Sequence, residues 1–199
     1  MKKMVHFIPV SQRKLSLLAA EADHTLVFIA GAKGTGKGAL AYWIHQNGPR
    51  AIYPCLTAHR GDSLPSQLLK AQNGTLIVPE VSAWPLEAQK ALLHYMHHKT
   101  ISDDTHSVQR LFNTRIILTT SQFAEERPHF GIFDPTSFTS LPLFQLTMPA
   151  LIQRNEEFED LVWALIEEIT QELHKKHVKS LDLPALNQLK QYSWPGNLR

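Results

Sequence analysis

The sequence predicts an α/β fold in which a parallel sheet carries a phosphate-binding loop. Short apolar runs rich in β-branched residues alternate with segments of helical spacing, which is typical of parallel strands joined by helices. One of these runs leads directly into a glycine-rich turn that a helix follows, as in a P-loop. The 199 residues, 43% of them hydrophobic and 19% charged, suffice for one core or for a core and a small second domain.

The secondary-structure elements of the first three quarters of the chain follow from local patterns. The strand predicted from Leu26 to Ala30 is continuously apolar, as expected of a strand buried on both faces. A helix is predicted from Lys37 to Gln46, and Gly48-Pro49 ends it. The helix predicted from Leu86 to His98 begins after Pro85, where a missing N–H costs little. Further strands are predicted at Ala51 to Pro54, Leu76 to Val78, Arg115 to Thr120 and Leu143 to Met148.

From Pro149 onward the pattern is helical only. The segment from Glu156 to His177 is long and amphipathic, and a second helix is predicted from Leu183 to Gln191. We therefore predict two subdomains, a P-loop α/β subdomain over residues 1–149 and a helical lid subdomain over residues 150–199 that is incomplete at its C-terminal end.

Composition and charge narrow the class of protein. The formal net charge is only +2, so the domain is not a basic nucleic-acid surface, and DNA contact requires a domain outside this chain. Cys55 is the single cysteine, which excludes an internal disulfide and fits a reducing compartment. Pro9 interrupts the short apolar run near the N-terminus, and no cleavage site follows, so no signal peptide is predicted. No apolar stretch approaches the ~20 residues of a membrane span. We expect a cytoplasmic protein without membrane contact.

The strongest chemical signal is the sequence GAKGTGKG from Gly31 to Gly38. Glycines in such a loop let successive backbone N–H groups turn toward a phosphate, and the next helix presents its positive end. The lysine then reaches the β and γ phosphates. An ordinary glycine turn is the alternative, which the preceding strand and following helix disfavour. The candidate nucleotide-binding residues are Gly31, Ala32, Lys33, Gly34, Thr35, Gly36, Lys37 and Gly38.

The chain resembles the central AAA+ domain of bacterial sigma-54-dependent transcription activators, the enhancer-binding proteins. The resemblance implies a five-stranded parallel sheet, a helical lid, ring assembly, ATP hydrolysis between protomers and remodelling of the sigma-54 holoenzyme. Family members usually carry a helix-turn-helix domain after the lid, and this chain stops before one. The resemblance rests on GAKGTGKGALAYWIH, NGTLIVPEVSAWPLEAQKALLHYM, RIILTTS, LPLFQLTMPALIQRNEEFEDLV and the terminal YSWPGNLR.

Several positions depart from the family's pattern for hydrolysis. The resemblance implies an acidic pair after the strand at Leu76 to Val78, one carboxylate for Mg²⁺ and one to orient water. Pro79 and Glu80 stand there instead, so Glu80 is a candidate catalytic residue without a metal-binding partner. The two arginines that act in trans align with Asp134 and Ser140, which supply no positive charge. Loss of an arginine finger costs ~10³ to 10⁵ in rate.

Four further comparisons with the family concern the two sensor residues near the nucleotide, the metal-binding residue and the loop that contacts sigma-54. Ser121 takes the place of the family's sensor asparagine, and Arg199 matches its second sensor arginine, which contacts bound phosphate. Gly38 replaces the Ser or Thr that holds Mg²⁺, so metal binding is expected to be weak or absent. The GAFTGA loop that contacts sigma-54 would follow Cys55, but the segment there is much shorter and lacks the motif.

A metal site elsewhere in the chain is not predicted. His94, His97 and His98 lie within about one turn of a helix. No carboxylate or cysteine joins them at close spacing, so we interpret them as a solvated helix face.

Three functions are compatible with these residues. The first is a hydrolysis-impaired AAA+ module of a transcription regulator that binds ATP or ADP and acts by self-association or by pairing with a related AAA+ regulator. The second is an active ATPase of a sigma-54-dependent activator. The third is a nucleotide-independent protein-interaction domain. The intact P-loop favours the first over the third, whereas Pro79, Asp134 and Ser140 weigh against the second.

Overall fold

The computed structural model describes residues 7–103, 106–111, 113–121, 141–174, 178 and 180–199. Within these ranges the chain forms helices α1 to α6 and strands β1 to β7, apart from short 3₁₀ turns. They are α1 Val10–Glu21, β1 Leu26–Gly31, α2 Lys37–Gln46, β2 Cys55–Thr57, α3 Leu64–Lys70, β3 Thr75–Val78, α4 Leu86–His98, β4 Thr100–Asp103, β5 His106–Leu111, β6 Arg115–Thr120, β7 Leu143–Met148, α5 Phe158–Glu172 and α6 Leu183–Gln191.

A five-stranded sheet in the order β2-β3-β6-β1-β7 forms the centre of the molecule. All of its neighbouring strands pair in parallel, which confirms the predicted sheet. Strand β1 lies between β6 and β7, with Val27 opposite Ile117 and Phe144. Strands β3 and β6 are buried along their whole length, which explains why their sequences are runs rather than alternations. Strands β4 and β5 form a separate antiparallel pair.

The two faces of the sheet are covered by different helices. Leu76 and Val78 of β3 pack into one cluster with residues of α3 and α4, whereas Ile77 packs into the other with residues of α1 and α2. This alternation is the period of two expected of a strand. A third cluster joins Leu151 and Phe158 to residues of α5 and α6. The division between residues 149 and 150 falls just after β7 and remains our proposal for the subdomain boundary.

The predicted bounds of three helices agree with the structure. Helices α2, α4 and α6 begin and end at the residues expected. Helix α5 is shorter than the predicted segment from Glu156 to His177, because a 3₁₀ turn precedes it and His174 adopts a left-handed φ of 49° beyond its end. Residues 175–177 lie outside the described residues. No described helix has both the length and the apolar character that crossing a membrane requires.

The strand predicted from Ala51 to Pro54 is wrong. The backbone N–H of Ala51 donates to the Gly48 carbonyl at 3.1 Å, and that of Tyr53 donates to the Arg50 carbonyl at 2.9 Å. These successive turns leave Ile52 86% exposed. The chain enters the sheet only at β2, which occupies an edge beside β3. Local apolar composition suggested a strand, but the turns around buried Arg50 determine the conformation.

Arg50 joins three segments at the amino ends of the strands. Its guanidinium pairs with both carboxylate oxygens of Asp23, which lies between α1 and β1. Nη1 donates to the carbonyls of Gly74 at 3.2 Å and Asn113 at 2.8 Å, just before β3 and β6. Nη2 donates to Asn113 Oδ1 at 2.8 Å. One buried side chain therefore fixes the chain where three neighbouring strands begin.

A second arginine ties the beginning of the described chain to the helical part. Arg154 is 4% exposed, and its Nε donates to Glu157 Oε1 at 2.9 Å. Nη1 of Arg154 donates to the Phe7 carbonyl at 3.0 Å. The other oxygen of Glu157 accepts from the backbone N–H of Val10 at 3.1 Å. The residues before α1 are thus attached to the start of α5 through a side-chain pair.

Candidate functional site

The predicted site residues meet at the carboxyl edge of the sheet. The loop from Gly31 to Gly36 begins at the last residue of β1, Glu80 follows β3, and Ser121 follows β6. These three strands are neighbours in the sheet, so their carboxyl ends bring the three segments together. Ligands of parallel α/β sheets bind at this edge.

The backbone of the loop requires glycine at several positions. Gly34 and Gly36 have φ values of 80° and 92°, in the left-handed region that other residues rarely adopt. A Cβ on Gly31 would lie 2.5 Å from the carbonyl oxygen of Met148 in β7. Gly38 differs from them, because a Cβ there would meet nothing within 4 Å. The first three glycines therefore set the shape of the loop, whereas Gly38 does not.

Lys37 is the buried cation of the site. It is the first residue of α2 and is 7% exposed. Its Nζ donates to the carbonyls of Gly31 at 2.8 Å and Ala32 at 3.0 Å, and lies 3.5 Å from Glu80 Oε1. Burial lowers the pKa of the Lys37 ammonium, and the charge of Glu80 opposes that shift. Thr35 is buried as well, and its hydroxyl donates to the Ala32 carbonyl at 2.8 Å.

Glu80 and Ser121 are in direct contact. Glu80 Oε2 accepts from the backbone N–H and from the hydroxyl of Ser121, both at 2.7 Å. Glu80 adopts a left-handed φ of 47°, so the chain turns sharply after β3. Pro79 offers no side-chain ligand, and its carbonyl accepts from Trp84 Nε1 at 2.9 Å. The sequence suggested Glu80 and Ser121 as separate residues, and the structure shows one carboxylate held between Ser121 and Lys37.

The C-terminal segment lies against the outside of the loop. Leu198 N–H donates to the Gly34 carbonyl at 3.0 Å, and Asn197 Nδ2 donates to the Lys33 carbonyl at 2.7 Å. A Cβ on Gly34 would lie 2.0 Å from the carbonyl oxygen of Gly196. Asn197 was not among the predicted site residues, although it lies in the terminal sequence WPGNLR that led to the prediction of Arg199.

Three predicted residues remain, of which one lies beside the loop and two lie outside the described residues. Arg199 is exposed, and its Cβ lies 3.4 Å from where a Cβ of Gly34 would be, so it stands beside the loop. Asp134 and Ser140 lie outside the described residues.

Among the residues that the structure describes, no group of three His, Cys, Asp or Glu side chains is arranged to hold a metal ion. The rings of His94 and His98 are 4.6 Å apart on the exposed side of α4.

A glycine-rich loop between a buried strand and a helix, with a buried lysine at the helix start, defines a P-loop NTPase fold. The five-stranded parallel sheet and the helical part that follows it are those of the AAA+ class. The sequence profile of the sigma-54 interaction domain matches residues 9–151, and the chain belongs to that family.

Comparison with known proteins agrees with this assignment. The chain is 27% identical over 225 residues to limonene hydroxylase of Geobacillus stearothermophilus, covering 99% of this chain and 41% of that protein. It is 29% identical over 206 residues to the transcriptional regulatory protein GlrR of Escherichia coli K12, covering 92% and 46%. The crystal structure of NtrX from Brucella abortus in complex with ADP superposes with a TM-score of 0.79 at 26% identity, covering 94% of this chain and 46% of that one. The chain thus spans less than half the length of these relatives.

Proposed function

We propose that this chain is the nucleotide-binding AAA+ domain of a transcription regulator of the sigma-54-activator kind, and that it binds ATP or ADP without hydrolysing it. The proposal rests on the burial of Lys37 at the start of α2, next to a glycine-rich phosphate loop. The NtrX structures with ADP and with ATP support nucleotide binding by this fold.

The residues present fit a nucleotide phosphate group. The turns at Gly34 and Gly36 are those of a loop that directs backbone N–H groups inward, and α2 adds the positive end of its dipole. The Lys37 ammonium is held between two carbonyl oxygens and Glu80, from which it can turn to a phosphate. Arg199 supplies a second cation at the loop's outer edge. The nucleotide itself contributes the anionic charge that these groups would neutralise.

The residues present do not fit a catalytic Mg²⁺ ion. Gly38 and Pro79, at the two positions where the family's ligands are expected, offer no side-chain oxygen. The carboxylate of Glu80 accepts two hydrogen bonds from Ser121 and pairs with Lys37. We therefore propose that nucleotide binding depends little on Mg²⁺.

Calorimetric titration of the protein with ADP and with ATP, each with and without Mg²⁺, tests the proposed function. We expect binding of both nucleotides with dissociation constants that change little when Mg²⁺ is added. Absence of binding at millimolar nucleotide would overturn the proposal in favour of a nucleotide-independent interaction domain.

Hydrolysis is the second test. We expect the wild-type protein to release phosphate from ATP no faster than a Lys37→Ala variant, because Pro79 supplies no carboxylate for the metal. Phosphate release is measured over a range of protein concentrations, so that assembly-dependent turnover is also detected. An Mg²⁺-dependent rate that disappears in the Lys37→Ala variant would instead show an active ATPase.

We further propose that the domain does not engage sigma-54 directly. Between β2 and β3 the chain holds only α3 and its flanking turns, and the sequence there contains no GAFTGA motif. Its partners would then be further copies of itself or a related AAA+ regulator, with DNA contacted through a separate domain. Transcription from a sigma-54 promoter with the full-length protein as sole activator would refute this part of the proposal.

A further inference from the structure

We propose that Asn197 is a positioning residue that orients the peptide between Lys33 and Gly34 and so couples the C-terminal segment to the phosphate loop. The inference rests on the proposed nucleotide-binding function and extends it to a residue that does not touch the nucleotide.

The side chain of Asn197 bridges two parts of the molecule. Its Oδ1 accepts from the backbone N–H of Leu151, at the beginning of the helical part, at 2.8 Å. Its Nδ2 donates to the Lys33 carbonyl in the loop at 2.7 Å. A parallel backbone bond runs from the Leu198 N–H to the Gly34 carbonyl at 3.0 Å. Two successive loop carbonyls are therefore held from the same side.

The bond to Lys33 has a direct effect on the loop's donors. In a planar trans peptide the carbonyl of one residue and the N–H of the next point in opposite directions. Because Asn197 holds the Lys33 carbonyl outward, the Gly34 N–H is directed away from the C-terminal segment. That is the side on which an inward-facing phosphate cradle needs its donors.

An asparagine suits this position on two counts. Its φ of 53° lies in the left-handed region, which asparagine tolerates better than most residues. Its amide also supplies one acceptor and one donor, and here a backbone N–H takes the oxygen while a carbonyl takes the nitrogen. An aspartate of the same shape would retain the acceptor for Leu151 but lose the donor for Lys33.

Such a coupling must act in both directions. If the clasp formed by Asn197 and Leu198 improves the affinity for nucleotide, then bound nucleotide stabilises the clasp by the same factor. The Leu198 amide reports this, because its hydrogen bond to Gly34 closes the clasp. Nucleotide should therefore slow hydrogen exchange at Leu198.

The test compares ADP binding by the wild type and by Asn197→Gly and Asn197→Asp variants. Asn197→Gly removes the side chain but keeps the backbone conformation accessible. Asn197→Asp keeps the acceptor for Leu151, removes the donor to Lys33 and adds a negative charge. We expect both variants to bind ADP about three- to tenfold more weakly, because both lose the hydrogen bond to Lys33 and one such bond usually contributes about this much. The ADP-dependent protection of the Leu198 amide should shrink in both. Asn187→Asp, which places the same charge on the exposed side of α6, should bind as the wild type does.

Three results of these experiments would overturn the proposed role of Asn197. Wild-type affinity in Asn197→Asp would overturn the inference, since the bond to Lys33 would then have no influence on the phosphate site. Weaker binding together with unchanged protection at Leu198 would also overturn it, because the residue would not couple the two segments. If the wild type binds no ADP, both the proposed function and this inference fail, and the wild-type titration alone reveals that case.

Discussion

Substitution of Lys37 by alanine should abolish most of the thermal stabilisation that we expect ADP or ATP to give this protein. A ligand that binds only the native state stabilises it by about 2.7 kcal/mol at a hundredfold excess over Kd. For a domain of this size, each 1 kcal/mol shifts the melting temperature by about 2 to 4 °C. The wild type should therefore melt several degrees higher with saturating nucleotide. In the variant the loop loses its buried ammonium, which now donates to the Gly31 carbonyl and which we propose turns to the phosphates.

The measurement is a melting curve with and without millimolar nucleotide, recorded for both proteins in the presence and absence of Mg²⁺. Lys14→Ala, which removes an exposed lysine of α1, is the matched control and should show the full shift. A Lys37→Ala protein that keeps the wild-type shift would mean that nucleotide binds outside the phosphate loop. Equal shifts with and without Mg²⁺ are expected, because Gly38 and Pro79 provide no metal ligand.

Substitution of Arg50 by alanine should lower the free energy of unfolding by about 3 kcal/mol, because it leaves buried partners of a charged group unsatisfied. Arg50 is 5% exposed and donates to Asp23, Gly74 and Asn113 at the amino ends of the strands. A urea unfolding curve at neutral pH measures the loss. The contrast is Lys90→Ala, which breaks an exposed pair with Glu87 and should cost less than about 1 kcal/mol.

The effect of Arg50 should depend on pH in a defined direction. Burial raises the pKa of the Asp23 carboxyl, but the hydrogen bonds and charge of Arg50 outweigh burial and leave that pKa below its ordinary value of 3.8. The pair therefore stabilises the fold at pH values above about 4, and this contribution is lost as the pH falls through the lower, folded-state pKa. The difference between wild type and Arg50→Ala should narrow in acid. A difference that is constant from pH 7 to pH 3 would show that the carboxylate's charge plays no part.

The sequence predicted those parts of the fold that depend on local pattern. The buried strands β1, β3 and β6, the edge strand β7 and the helices α2, α4 and α6 were each recognisable from their apolar residues or from helical spacing with a clear stop. The segment from Ala51 to Pro54 failed because its conformation depends on contacts of Arg50 with residues far away in the chain. Helices α1 and α3 and the β4–β5 pair were not predicted.

In the candidate site, too, the sequence predicted the residues of a local motif but not the contacts between distant segments. The P-loop motif identified the glycines and Lys37 because the motif is local. The pairing of Glu80 with Ser121 joins residues that are 41 positions apart, and Asn197 reaches Lys33 across 164 positions. Only the strand order β3-β6-β1 and the return of the C-terminal segment bring these groups together. Spacing along the chain carries no information about such contacts.

The attachment of Phe7 to Arg154 sets a practical limit on how short this domain can be made. Among the described residues, Nη2 of Arg154 already lacks a hydrogen-bond partner, and Nη1 depends on the Phe7 carbonyl. Deletion through Phe7 would remove that acceptor and leave two nitrogens of one buried guanidinium without partners. Expression boundaries chosen at the start of α1 would thus weaken the helical region at the opposite end of the sequence. An N-terminal boundary upstream of Phe7 keeps both regions intact.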